Sequence, residues 1–181
     1  RPTQRPNGRG GQAKQGSVLI LIYPHKNQPH LVLTRRPETL RAHAGQISFP
    51  GGRRELGETL ERCALRETYE EIGVSRHDIT IWGALTCLYI MPSDFEVFPF
   101  VGWCDKRPLF TPSPDEVAEL LEVPVRHFFN PQARKEEPRT LQGYTMNIPY
   151  YLVEGHKVWG ATAMILSELL QRIQTIQTTV L

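Results

Sequence analysis

Apolar positions along this chain fall in short runs. Ser17–Tyr23 (SVLILIY) and His30–Arg35 (HLVLTR) are apolar, β-branched-rich and of strand length, and Pro24–Pro29 between them reads as a turn. Residues 37–52 are loop-like, with Pro37, Gly45 and Pro50-Gly51-Gly52, interrupted by a brief strand at Gln46–Phe49. A helix is predicted from about Glu58 to Ile72, stopping at Gly73, whose missing Cβ suits a left-handed cap. Strands near 78–91 and 95–104 follow, separated by Pro92-Ser93-Asp94. Pro112–Glu119 reads as a loop entering a short turn or helix, Leu120–Val125 as a strand, and 126–135 as irregular. Strands near 138–142 and 146–154 form a predicted hairpin around Gly143. A last helix, about 160–175, carries Ile165, Leu166, Leu169, Leu170 and Ile173 as an apolar stripe. Many strands with one helix mid-chain and one at the end predict an α/β (α+β) fold, a mixed sheet between helices.

Composition narrows the organisation more than the chemistry. A chain of 181 residues fits one domain, here residues 17–176, able to bury about 70% of its unfolded surface. Residues 1–16 are rich in Gly, Pro, Gln and Arg, with Ala13 the lone apolar residue, so they are expected to form a flexible tail. Residues 177–181 are expected to form a short C-terminal tail, and its TTVL ending is not a peroxisomal signal. The chain begins with Arg and is expected to be a mature or trimmed form; its acid-free start lacks the apolar helical face of a transit peptide.

A formal charge of +2 does not support a nucleic-acid-binding surface. No apolar run approaches the roughly 20 residues needed to span a bilayer. The partner expected is therefore a small molecule, with neither nucleic acid nor membrane, and a homodimer stays open. The 3 cysteines, Cys63, Cys87 and Cys104, show no C-x-x-C spacing, which fits a reducing, cytoplasmic setting. The 6 histidines lack close metal-ligand spacing.

The candidate chemistry sits on the first predicted helix. At about 100° per residue, Glu67, Glu70 and Glu71 project within an arc of roughly 100°, while Leu65, Tyr69 and Ile72 gather on the opposite side, the edge expected to be buried. Glu67 and Glu71 repel at i, i+4, a cost that a bound cation would remove; Mg²⁺ or Mn²⁺ prefers such oxygen ligands. Helical geometry alone leaves this open against a solvated face screened by Arg62 and Arg66.

The longer spacing bears on the choice. Gly52, Glu58, Arg66-Glu67, Glu70-Glu71, Gly73 and Val74 resemble the Nudix box, G-x5-E-x7-R-E-U-x-E-E-x-G-U. Seven fixed positions at about 7% each match by chance on the order of 10⁻⁸ at a given start. Thr68 stands where an aliphatic residue is usual. The resemblance implies a Nudix-type α/β/α sandwich and a pyrophosphohydrolase. It further implies Mg²⁺ or Mn²⁺ on Glu67, Glu70, Glu71 and the Gly51 carbonyl, with Glu58 and Arg66 as a structural ion pair.

Upstream, Thr34, Arg36, Arg41, Gly45 and Phe49-Pro50-Gly51-Gly52 resemble the signature of Nudix coenzyme A pyrophosphatases, L-L-T-x-R-S-x3-R-x3-G-x3-F-P-G-G. Val32 and Pro37 depart from it, and Pro37 removes a backbone donor from the loop. The two motifs cover about a quarter of the chain, and Trp159–Ala163 is a weaker likeness. This implies cleavage of coenzyme A or its thioesters to 3′,5′-ADP and (acyl-)4′-phosphopantetheine.

Arg36 and Arg41 are expected to contact substrate phosphates, with Arg35 left open, and Gly45 and Phe49 are placed in the substrate site. A packing role fits Phe49, His43 and Cys63 as well. Among Asp115, Glu116 and Glu119, all candidates for a general base, Glu119 is placed with the catalytic residues; Asp94 and Glu96 are weaker candidates. The alternatives are a Nudix pyrophosphatase for ADP-ribose, NADH or a nucleoside triphosphate, and a non-catalytic Nudix-fold sensing or binding domain.

Overall fold

The computed structural model describes residues 13–39, 44–141 and 144–179; Arg41, His43, Gly143 and positions 1–12 lie outside the described residues. Two strands open the fold, β1 (Lys14–His25) and β2 (Gln28–Arg35), joined by a tight turn in which Lys26 and Asn27 both have positive φ. Residues 14–16, expected in the tail, are strand: they pair with Phe95–Val97. Then come β3 (Ile47–Ser48), β4 (Gly51–Arg53) and helix α1 (Leu60–Ile72). Next are β5 (Thr80–Ala84), β6 (Leu88–Ile90), β7 (Phe95–Trp103) and β8 (Glu119–Pro124). The chain closes with β9 (Arg134–Leu141), β10 (Tyr144–Val153), β11 (His156–Trp159) and helix α2 (Gly160–Thr179).

Eight strands form one sheet with the path β3-β2-β1-β7-β5; β4 joins β1, β6 joins β7 and β8 joins β2. The β1–β7 pairing is parallel and the others antiparallel, so the sheet is mixed, as the sequence predicts. Alternation along β1 builds two cores. Leu19, Leu21 and Tyr23 pack with Ala64 and Ile72 of α1, whereas Ile20 and Ile22 pack with Ile165, Leu166, Leu169 and Leu170 of α2. The helices therefore cover opposite faces of the sheet. Each of the leucines and isoleucines among them contributes roughly 1.5–3 kcal/mol by leaving water. The smaller sheet β11-β10-β9 lies on the α2 side, where Tyr151, Val153 and Val158 join the same cluster. Among the described residues no helix is long and apolar enough to cross a membrane.

The expected strand over 78–91 is two strands. β5 covers the end of β7 (Thr80 opposite Trp103) and β6 its beginning (Leu88 opposite Val97). Within β5 the register shifts at Ile81/Gly83, and just after it Pro99 of β7, with no N–H to donate, only accepts from the Leu85 amide at 2.8 Å. β11 is a strand the sequence reading missed; it is 4 residues long and follows a Glu154-Gly155 turn with φ of 48° and 87°.

Helix α1 starts later than expected because Thr59 caps it, accepting from the Arg62 amide at 3.2 Å. It ends at Gly73 (φ 75°), whose amide donates to the Tyr69 carbonyl at 2.9 Å. A Cβ on Gly73 would stand 2.8 Å from the Thr111 side chain. Gly73→Ala is expected to cost about 1–2 kcal/mol, from the left-handed backbone and this contact; urea denaturation measures it, and an unchanged midpoint would contradict the assignment.

Candidate metal centre

β4 runs between β1 and α1, and only glycine fits there. A Cβ on Gly51 would lie 2.3 Å from the Ser17 carbonyl oxygen, and one on Gly52 would lie 2.4 Å from the Glu67 carboxylate. The glycine pair thus brings backbone directly beneath the acidic edge of α1. That edge turns further inward than the sequence suggests. The buried residues of α1 are Cys63, Ala64, Thr68, Glu71 and Ile72, while Tyr69, expected inside, is 61% exposed. Thr68 occupies its apolar position by donating its hydroxyl to the Ala64 carbonyl at 2.7 Å.

Glu67, Glu71 and Glu116 converge, each offering a carboxylate oxygen within 4.8 Å of the others. Glu71 is only 3% exposed, and among the described residues its Oε2 has no hydrogen-bond partner. Burial first, then the charges of Glu116 and Glu67, push its pKa up to about 8, against smaller opposing pulls from Arg36 and a backbone hydrogen bond from Gly51. Glu67 is also raised, because burial outweighs its bonds to Arg66. A set of hard oxygen donors that runs from the buried, partly unpartnered Glu71 to the exposed Glu116 fits a divalent cation.

Arg66 organises the rest of the edge. Its Nε meets Glu58 Oε1 at 2.9 Å, and Nη1 meets Glu67 Oε1 at 2.9 Å and Glu70 Oε2 at 2.8 Å. Its Nη2 donates to the Arg53 carbonyl at 3.1 Å. The Glu58–Arg66 pair expected from the sequence is present, and hydrogen bonding to Arg66 lowers the Glu58 pKa. Glu70 is held on Arg66 and stands outside the three-carboxylate cluster. Cys63 is buried packing, with its thiol toward the Gly52 carbonyl at 3.6 Å.

The loop before β8 reaches this cluster because it is stitched to the end of α1. Thr111 N donates to Ile72 O and Ser113 N to Glu71 O, each at 2.9 Å. This brings Glu116 to Glu71. Glu119, placed with the catalytic residues from sequence, stands elsewhere. It pairs in register with Arg35, and β8 alternates so that Leu121 and Val123 join the α2-side core. Glu119 shares their parity and thus faces away from the cluster; its Oε2 meets Arg35 Nε at 2.9 Å and His156 Nε2 at 3.2 Å. Neither Asp94, which accepts from Tyr89 at 2.7 Å, nor Glu96, which accepts from Gln15 at 3.1 Å, belongs to the cluster.

The NUDIX domain family matches residues 13–143. The chain belongs to the Nudix family. Nudix hydrolase 3 of Caenorhabditis elegans is 34% identical over 170 residues, covering 85% of this chain and 71% of the relative. The uncharacterized Nudix hydrolase NudL of Pectobacterium atrosepticum is 36% identical over 165 residues, covering 90% and 84%. Among solved structures, the Nudix hydrolase RenU of M. smegmatis superposes with a TM-score of 0.61 at 15% identity, covering 96% of this chain and 91% of that one. That likeness shows the fold alone. The protein is a Nudix pyrophosphohydrolase, and its box carboxylates line the acidic edge described above.

Of the residues expected upstream of the Nudix box, Arg36 faces the cluster: its charge acts on Glu71, and its buried Nε has no partner among the described residues. Arg35, the next residue back, points to the other face and is neutralised by Glu119 and Glu38. Gly45 (φ 66°) donates to the Arg36 carbonyl at 3.2 Å and shapes the turn beside it. Phe49 is a correction: at 1% exposure it packs with Ile47 and Leu33 in the α2-side core and offers no face to a ligand.

The raised Glu71 pKa has a measurable effect. Below about pH 8 a cation must displace the Glu71 proton, so Mn²⁺ affinity is expected to rise between pH 6 and 8 and level off above. Calorimetric Mn²⁺ titrations across that range test this, and a flat affinity would contradict it.

Proposed function

We propose that this Nudix hydrolase cleaves a diphosphate linkage with Mg²⁺ or Mn²⁺, and that its substrate is coenzyme A or an acyl-coenzyme A. The products are then 3′,5′-ADP and (acyl-)4′-phosphopantetheine. The observation that carries the hydrolytic reading is the Glu67–Glu71–Glu116 cluster with its unpartnered, buried Glu71 oxygen. Those three residues would hold the cation; by the family resemblance Glu70 and the Gly51 carbonyl join them. A cation bound there neutralises diphosphate charge and lowers the pKa of a water. Arg66 keeps Glu67 in place, and the Gly51-Gly52 backbone presses the site closed from below.

The substrate reading rests on the upstream signature and on Arg36. A guanidinium with an unsatisfied buried Nε beside the acid cluster is suited to a phosphate oxygen. Separate incubations with Mn²⁺ and coenzyme A, ADP-ribose, NADH or dATP, with fragments identified by mass, test this. Cleavage of coenzyme A to 3′,5′-ADP is expected. Intact coenzyme A beside cleaved ADP-ribose would overturn the substrate reading and leave the hydrolase.

A further inference from the structure

Glu119 lies on the wrong face of the sheet for chemistry, yet it is the most connected carboxylate on that face of β8. Its Oε2 is shared by Arg35 Nε (2.9 Å) and His156 Nε2 (3.2 Å), so it ties the end of β2 to the first residue of β11 in the second sheet. One residue earlier, Ala118 N donates to Arg35 O at 2.8 Å. Three residues before Glu119, on the same loop, Glu116 reaches Glu67 and Glu71.

The segment from Thr111 to Glu119 is therefore a strap fixed at both ends. Thr111 and Ser113 bond to the last turn of α1, and Ala118 and Glu119 bond to Arg35. Glu116 is the exposed member of the cluster, and the loop's own bonds near it are the turn contacts Glu116 N and Val117 N to Ser113 O, at 3.1 and 2.8 Å. Val117, buried in the α1-side core, anchors the loop beside Glu116, so Glu116 takes its position from the Val117–Glu119 end of the strap.

We propose that Glu119 and His156 are positioning residues that fix Glu116 at the cation site, coupling the second sheet to the metal centre. The inference rests on the cation reading above. An ordinary surface ion pair contributes little and would act on stability alone. Here the pair sits at the root of a ligand-bearing loop; groups that hydrogen-bond a metal ligand directly contribute about 10–100-fold to affinity, and a support one step further out is expected at the low end of that range.

The test is a double-mutant cycle on the full chain, read as Mn²⁺ affinity from the electron paramagnetic resonance signal of free Mn²⁺. His156→Ala is expected to weaken Mn²⁺ about tenfold in the otherwise native protein and less than about twofold in a Glu116→Gln background. His156→Gln, which still offers an N–H to Glu119, is expected to recover most of the affinity. Equal weakening in both backgrounds, or none in either, overturns the coupling. If His156→Ala does not fold, Glu119→Gln takes its place in the same cycle. Absence of Mn²⁺ binding by the native chain would instead sink the cation site itself, and the coupling with it.

Discussion

Glu71→Gln is expected to lower turnover by more than about a hundredfold, a loss of about 2.7 kcal/mol in transition-state stabilisation. Glu71 is the most buried carboxylate of the cluster, and no group among the described residues satisfies its Oε2. Gln keeps the shape and removes the charge a cation needs. The fold should not suffer. A carboxyl whose folded pKa stands above its unfolded one binds more protons when folded. Its contribution is thus fully present below the unfolded carboxylate pKa and is lost as pH climbs to about 8. Gln resembles the protonated form throughout, so the metal-free variant should lose less stability with rising pH than the native protein. Steady-state kinetics with Mn²⁺, and melting with and without the ion, measure both. Turnover within tenfold of native would remove Glu71 from the site.

Arg66→Ala is the largest expected effect on stability. One guanidinium serves Glu58, Glu67, Glu70 and the Arg53 carbonyl, and the Glu58 and Glu67 side chains are each only 13% exposed. Its removal leaves three carboxylates facing one another. A fully buried pair broken this way costs 3–5 kcal/mol; partial exposure here brings the expectation to about 2–3 kcal/mol. Added Mn²⁺ should recover part of it by neutralising Glu67. Lys cannot substitute, since a single ammonium lacks the fork that reaches four acceptors. Urea denaturation with and without Mn²⁺ checks this, and a loss below about 1 kcal/mol would contradict the central place given to Arg66.

What was legible in the sequence was spacing. The apolar pattern and Gly73 gave the helix and its left-handed stop, because local chemistry decides those features, and the Nudix resemblance implied the Glu58–Arg66 pair. Which way the helix turns was not legible. Helical geometry left the three glutamates open between a solvated face and a cation site and put Tyr69 on the buried side, whereas two of the acids lie inward against β4 and Tyr69 points out. Only the close approach of Gly52 to Glu67 explains that, and it is a tertiary contact.

The choice among Asp115, Glu116 and Glu119 failed for a related reason. A strand sends neighbours to opposite faces, so the residue at which β8 begins, and its register on β2, decide which carboxylate meets Glu71. Phe49 shows the same limit. Its motif position resembles a substrate site, but its parity with Ile47 puts it in the core.

The most direct measurement is a crystal of the protein soaked in Mn²⁺, with data collected for the anomalous signal of manganese. The expected result is a peak within coordination distance of Glu67, Glu71 and Glu116, absent from Glu71→Gln crystals soaked alike. Crystals whose manganese peaks all avoid those three carboxylates, from a protein that hydrolyses its substrate in Mn²⁺, would contradict the metal centre described here.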